Sequence, residues 1–192
     1  MSKIEIPEYS LGEELISSIS HGIGALLGIA ALVLSVVFSK NPITIVSSAI
    51  YGTTLIILYL ISCLYHSFSP RIKAKKVFRV LDHDSIYLLI FGTYMPYLLV
   101  SIGGSKGWIL WGILLGLSIL GIVFNSINLE KFKNISLISY ILMGWIIVFS
   151  FKDVYNSIGF YGTLYLILGG VFYTVGALFY RLGKKIKYMH SI

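Results

Sequence analysis

Four histidines stand near serines and carboxylates at spacings that matter for chemistry. In Ser62-Cys63-Leu64-Tyr65-His66 the serine and the histidine are four residues apart, which puts both on one face of a helix. In Glu14-x-x-Ser17-x-x-x-His21 the steps of three and four do the same for three polar side chains. Asp82, His83 and Asp84 are consecutive, Glu13 adjoins Glu14, and His190 lies near the C-terminal residue, Ile192. Imidazole at a helix end suits Zn²⁺, and a carboxylate beside it can hold a metal-bound water. In a catalytic site that water has a pKa of about 7 and is a nucleophile at neutral pH.

Each of these residues also has a plainer role open to it. On spacing alone, His21 and His83 read as polar anchors at a membrane interface. Ser62 can return a hydrogen bond to a backbone carbonyl of its own helix. Asp84 reads as a helix-start acid. The basic run from Arg71 to Arg79 reads as a stretch facing lipid headgroups, and Tyr65 and Tyr87 read as packing or interfacial aromatics.

The elements that would position these groups are apolar. Hydrophobic residues make up 57% of the 192 residues, charged residues 12%, and the mean hydropathy is +0.88. A soluble domain carries about 25% charge, so this composition describes a chain that lives in lipid. The single cysteine, Cys63, excludes an internal disulfide. The acidic, polar start of the chain does not resemble a cleavable signal peptide, so insertion is expected to rely on the helices themselves. The net charge of +7 borders the apolar runs, which points to topology and anionic headgroups rather than to nucleic acid.

Six spans can be drawn, approximately 19–39, 43–63, 85–102, 108–127, 135–151 and 158–179, each near the ~20 apolar residues needed to cross a bilayer core. No linker interrupts them, so residues 1–192 read as one transmembrane domain, an all-α membrane protein. Asn41-Pro42, Gly103-Gly104-Ser105 and Asn156-Ser157 are turn signals. Gly24-x-x-x-Gly28 and Gly112-x-x-x-Gly116 offer close helix approach. With the N-terminus in the cytoplasm, all Lys and Arg fall inside except Lys40, Lys106 and Lys152, as the positive-inside rule requires. On that topology His21, His66, His83 and His190 all lie on the cytoplasmic side, with Asp82 and Asp84 in the same layer. A titratable layer at one membrane face is a candidate site.

Several motifs in order resemble the haemolysin III family. They are Glu13-Glu14-x-x-Ser17-x-x-x-His21-Gly22-Ile23-Gly24, Ser62-x-x-x-His66-Ser67-Phe68, Leu81-Asp82-His83-x-x-Ile86-Tyr87-Leu88-Leu89-Ile90 and Gly92-Thr93-Tyr94-x-Pro96. This family is the bacterial branch of the progestin and adiponectin receptor superfamily, related to alkaline ceramidases. The resemblance implies a multi-pass protein of the bacterial plasma membrane with seven helices and a zinc site on the cytoplasmic side. It assigns His66 and His190 as metal ligands, Ser62 as the motif serine, and Asp82 as the carboxylate contacting the metal-bound water. The sequence departs from the family pattern in two places. Ser17 stands where members commonly have asparagine, and the second histidine of the family's H-x-x-x-H motif would follow Ile192. The expected fold is therefore a six-helix bundle, the family fold without its last helix, with zinc held less tightly.

Two kinds of function follow from the resemblance. One is a metal-dependent hydrolase of lipid amides or esters, or a receptor-like regulator of membrane lipid state, with membrane lipids and anionic headgroups as partners. The other is a pore-forming cytolysin, which the lack of charged residues at mid-span supports poorly.

Overall fold

A computed structural model of the chain describes residues 4–182, and among these every regular element is helical. The elements are α1 (Leu11–Val37), α2 (Pro42–Ser67), α3 (Lys73–Pro96), α4 (Gly104–Trp145) and α5 (Phe151–Leu182). A π-helical stretch, Tyr97–Ile102, extends α3, and a 3₁₀ stretch, Ile146–Ser150, joins α4 to α5.

The helix starts follow from local chemistry. Ser10 Oγ accepts from the Glu13 amide at 3.3 Å, while the Glu13 carboxylate accepts from the Ser10 amide at 2.8 Å. This reciprocal box satisfies amides that the first turn leaves without helical partners. Asn41 and Thr44 do the same for α2, with Pro42 in the first turn, where a missing N–H does no harm. At the far end of α3, Pro96 lacks the N–H that an α-helical turn needs, and the chain continues as the wider π stretch. Gly103 and Gly104 then turn it at φ of 60° and 55°, which side chains other than glycine resist.

Four stretches are long and apolar enough to cross a membrane: Leu11–Val37, Pro42–Ser67, Lys73–Ile102 and Gly104–Arg181. The last spans 78 residues and contains two non-helical breaks, at Asn128 and Gly159. Side-chain contacts show that the chain folds back at both. Asn125 and Tyr140 would be about 22 Å apart along a straight helix, yet Asn125 Nδ2 reaches the Tyr140 hydroxyl at 3.4 Å. Likewise Trp145 Nε1 donates to Thr174 Oγ1 at 3.2 Å, across the Gly159 break.

The core is centred on α3. Tyr87, Ile90, Tyr94 and Met95 pack with Leu98, Leu114, Tyr140 and Met143. The tyrosine hydroxyls are satisfied within it: Tyr87 bonds Ser139 at 2.6 Å and Tyr94 donates to the Gly144 carbonyl at 2.9 Å. In the hydrocarbon layer no water can serve these groups, so internal pairing is required.

Close approach occurs at one of the two glycine pairs expected to provide it. A Cβ at Gly24 would lie 2.7 Å from the Tyr59 ring, so α1 and α2 meet there because glycine leaves room. Nothing lies within 4 Å of a Cβ at Gly112 or Gly116, so that pair mediates no contact within the chain.

Candidate functional site

α1, α2 and α3 bring one end of each together. His66, in the last turn of α2, is buried, and its Nδ1 lies 2.7 Å from Glu14 Oε2 in the first turns of α1. The other Glu14 oxygen, Oε1, accepts from Lys75 Nζ at 2.5 Å, and Lys75 also donates to the Phe68 carbonyl at 2.9 Å. Lys75 is fully buried, and its ammonium sits 5.0 Å from the centre of the Tyr65 ring. Isolated charges at such burial are strongly unfavourable. Here anion and cation meet directly, and backbone and ring contacts complete the ammonium's surroundings.

The imidazole of His66 is enclosed by rings. Tyr65 packs edge-on at 4.7 Å, Tyr9 lies 6.0 Å away, and His21 stacks at 5.9 Å with 24° between the planes. His21 itself donates from Nδ1 to the Ser17 carbonyl at 2.6 Å, one turn earlier in α1. It is thus a neighbour of His66 rather than an isolated interfacial anchor. Tyr9 precedes α1, and burial, followed by the nearby Tyr65 hydroxyl, pushes its own hydroxyl above the ordinary tyrosine range. Tyr9 therefore stays neutral and contributes no charge at neutral pH.

A second set of charges adjoins the first along α3. Arg79 Nη1 lies 2.5 Å from Glu130 Oε1, and Lys133 donates to Glu130 Oε2 at 2.7 Å. His83 donates from Nδ1 to the Arg79 carbonyl at 2.9 Å, so its Nε2 accepts from the Tyr180 hydroxyl at 3.0 Å. Both its nitrogens are engaged, and its role is to tie α3 to the end of α5.

Of the residues expected at a metal site, His66 is central to the cluster, and Ser62 is buried one turn deeper on the same face of α2. The Asp82 carboxylate lies 3.8 Å from His83 Nδ1 and within electrostatic range of the Tyr65 and Tyr180 hydroxyls. His190 lies outside the described residues. Among the described residues no three His, Cys, Asp or Glu side chains form a group able to hold a metal ion.

Two expectations are corrected. The basic run does not simply face headgroups, because α3 begins at Lys73 and winds the run into a helix. Arg71, Lys73 and Lys76 are exposed, whereas Lys75 and Arg79 turn inward and are buried. For the same reason Asp84 caps nothing. It lies in the middle of α3, buried, where Ser126 Oγ donates to its Oδ2 at 3.3 Å. The inward residues do carry a sequence signal, since Lys75, Arg79 and His83 recur every four residues.

The sequence matches the family described as Haemolysin-III related over residues 9–190. It is 40% identical to Hemolysin-3 of Bacillus cereus over 183 residues, 94% of this chain and 83% of that one. It is also 40% identical to the Hemolysin-3 homolog of Bacillus subtilis (strain 168) over 187 residues, 96% of this chain and 87% of the relative. A more distant similarity, 25% over 155 residues, extends to the human monocyte to macrophage differentiation factor, covering 77% of this chain and 62% of that protein. No solved structure matches the chain.

Proposed function

The chain belongs to the haemolysin-III-related family, and from that premise we propose that it hydrolyses an amide or ester of a membrane lipid at a zinc site on the cytoplasmic side. It does so as a six-span protein of the bacterial plasma membrane with its N-terminus inside. The two reversals at Asn128 and Gly159 support six spans, and the distribution of Lys and Arg supports the orientation.

The observation that carries the zinc reading is the 2.7 Å contact between His66 Nδ1 and Glu14. A metal-ligating histidine characteristically gives its other ring N–H to a carboxylate, which fixes the tautomer and raises the basicity of the coordinating nitrogen. With Nδ1 committed to Glu14, His66 would coordinate through Nε2. Lys75 holds the far side of the Glu14 carboxylate, so the orienting group is itself held on two sides. His190 is the second ligand by resemblance.

Zinc, when bound, supplies a Lewis acid and lowers the pKa of water to about 7. Asp82 would position the attacking water, take its proton and pass it to the leaving nitrogen or oxygen as the acyl bond breaks, and Ser62 would stabilise negative charge developing on the substrate carbonyl. The lipid reaches the site from the bilayer, while the exposed Arg71, Lys73, Lys76 and Lys131 face anionic headgroups.

Purified protein in nanodiscs, offered lipid amides and esters and followed by mass spectrometry, tests this. Hydrolysis by the wild type should fall by about 10²-fold or more in Asp82→Ala, the range for losing an acid–base group. An Asp82→Ala protein as active as the wild type would remove the hydrolase reading.

A further inference from the structure

Beyond the histidine cluster, a cavity of about 220 Å³ opens between α4 and the end of α5, lined by Lys133, Asn134, Leu137, Ile138, Tyr180 and Arg181. Its α4 wall comes from one helix face, because residues 133, 134, 137 and 138 are spaced by one, four and five. That face is graded, with an ammonium and an amide in its first turn and two aliphatic side chains one turn further along. Ile138 is 59% exposed, so the apolar end of the cavity opens to the lipid side.

The helix wall also begins at a break. Asn128 leaves helical geometry, and its Oδ1 accepts from the Lys131 amide at 3.1 Å, capping the helix that restarts there. Lys133 therefore sits in the second turn of a helix that starts afresh at the break, which fixes its place at the polar end of the cavity.

The local charge balance is positive. Glu130 accepts from Lys133 and pairs with Arg79, and Asp82 acts on Tyr180 from the neighbouring turn of α3. Arg79, Lys133 and Arg181 together still outnumber these two carboxylates. The volume is below the roughly 300–1,000 Å³ of sites that enclose a whole small molecule, which suits a headgroup whose chains remain in the bilayer. Basic pockets between membrane helices commonly hold anionic lipid headgroups.

We propose that this cavity binds the phosphate of an anionic phospholipid between Lys133 and Arg181, with an acyl chain running along Leu137 and Ile138. Asn134 donates to the same headgroup. Tyr180, one wall of the cavity, is held by His83 Nε2, so the lipid sits directly beside His83. The orientation comes from the proposed topology. The cavity and its charges do not depend on zinc.

The test uses the full-length chain, delipidated in detergent and titrated with phosphatidylglycerol or phosphatidylcholine under native mass spectrometry, with inorganic phosphate in a parallel arm. Lys133→Gln combined with Arg181→Gln should weaken phosphatidylglycerol binding about 10- to 30-fold, since each basic residue near the surface contributes about a factor of five. Lys40→Gln combined with Lys152→Gln removes the same charge at exposed positions away from the cavity and should change binding less than about twofold. Zinc content should be the same in all variants, which separates failure here from failure of the metal reading. Equal losses in the two double variants, or phosphatidylcholine bound as tightly as phosphatidylglycerol, would overturn the pocket. Inorganic phosphate binding as tightly as phosphatidylglycerol would overturn the lipid assignment in favour of a free anion.

Discussion

At the histidine-bearing end of the bundle, Lys75 is fully buried against Glu14, and Arg79 is buried against Glu130. Elsewhere, between the starts of α4 and α5, Lys106 meets Asp153 at 2.5 Å, but 52% and 43% of the two side chains remain exposed. The distances are alike and the physics is not. An exposed pair exchanges water contacts for a protein contact of similar strength, whereas a buried charge persists only while its partner is in place. Chains that span membranes seldom bury charge without use for it. The contrast therefore separates a pair that joins the starts of α4 and α5 from a network that holds a histidine.

Removing the buried cation sharpens this contrast most. Lys75→Met leaves the Glu14 carboxylate uncompensated and should cost about 3–5 kcal/mol of stability, read as a large downward shift in thermal unfolding of the purified protein. Should Lys75→Met unfold at the wild-type temperature, the buried network would be no more consequential than a surface pair. Glu14→Gln keeps the size of the side chain but weakens its hold on His66 Nδ1. Zinc affinity measured by chelator competition should then drop about 10- to 100-fold, the usual effect of losing an orienting carboxylate. The smallest change belongs to the exposed pair. Lys106→Gln or Asp153→Asn should alter stability by less than about 1 kcal/mol and leave zinc affinity unchanged.

Much of this end was legible in the sequence. The four-residue step from Ser62 to His66 and the Glu14–Ser17–His21 face depend only on helical geometry, and the helices bring His66 to Glu14, with Ser62 buried one turn deeper on α2. The membrane character of the chain follows from composition alone. The pairing of Glu14 with His66 was not legible, because 52 residues separate them and no periodicity reports which faces of two helices will meet. The inward turn of Lys75 and Arg79 was missed for another reason. Their segment carries five basic residues in nine, Arg71 to Arg79, and hydropathy assigns such a run to the interface. Helical winding splits that run between water and core, and only its four-residue period hints at the division. Asp84 was misread by the same boundary error, since a helix starting at Lys73 leaves no start for it to cap.

Under the proposed function, the buried ion network presents His66 to a metal. Elemental analysis of the full chain, expressed with zinc and purified without chelators, tests it most directly. About one zinc per chain is expected in the wild type and essentially none in His66→Ala. A wild-type protein free of zinc, or a His66→Ala protein that retains it, would rule out His66 as a metal ligand.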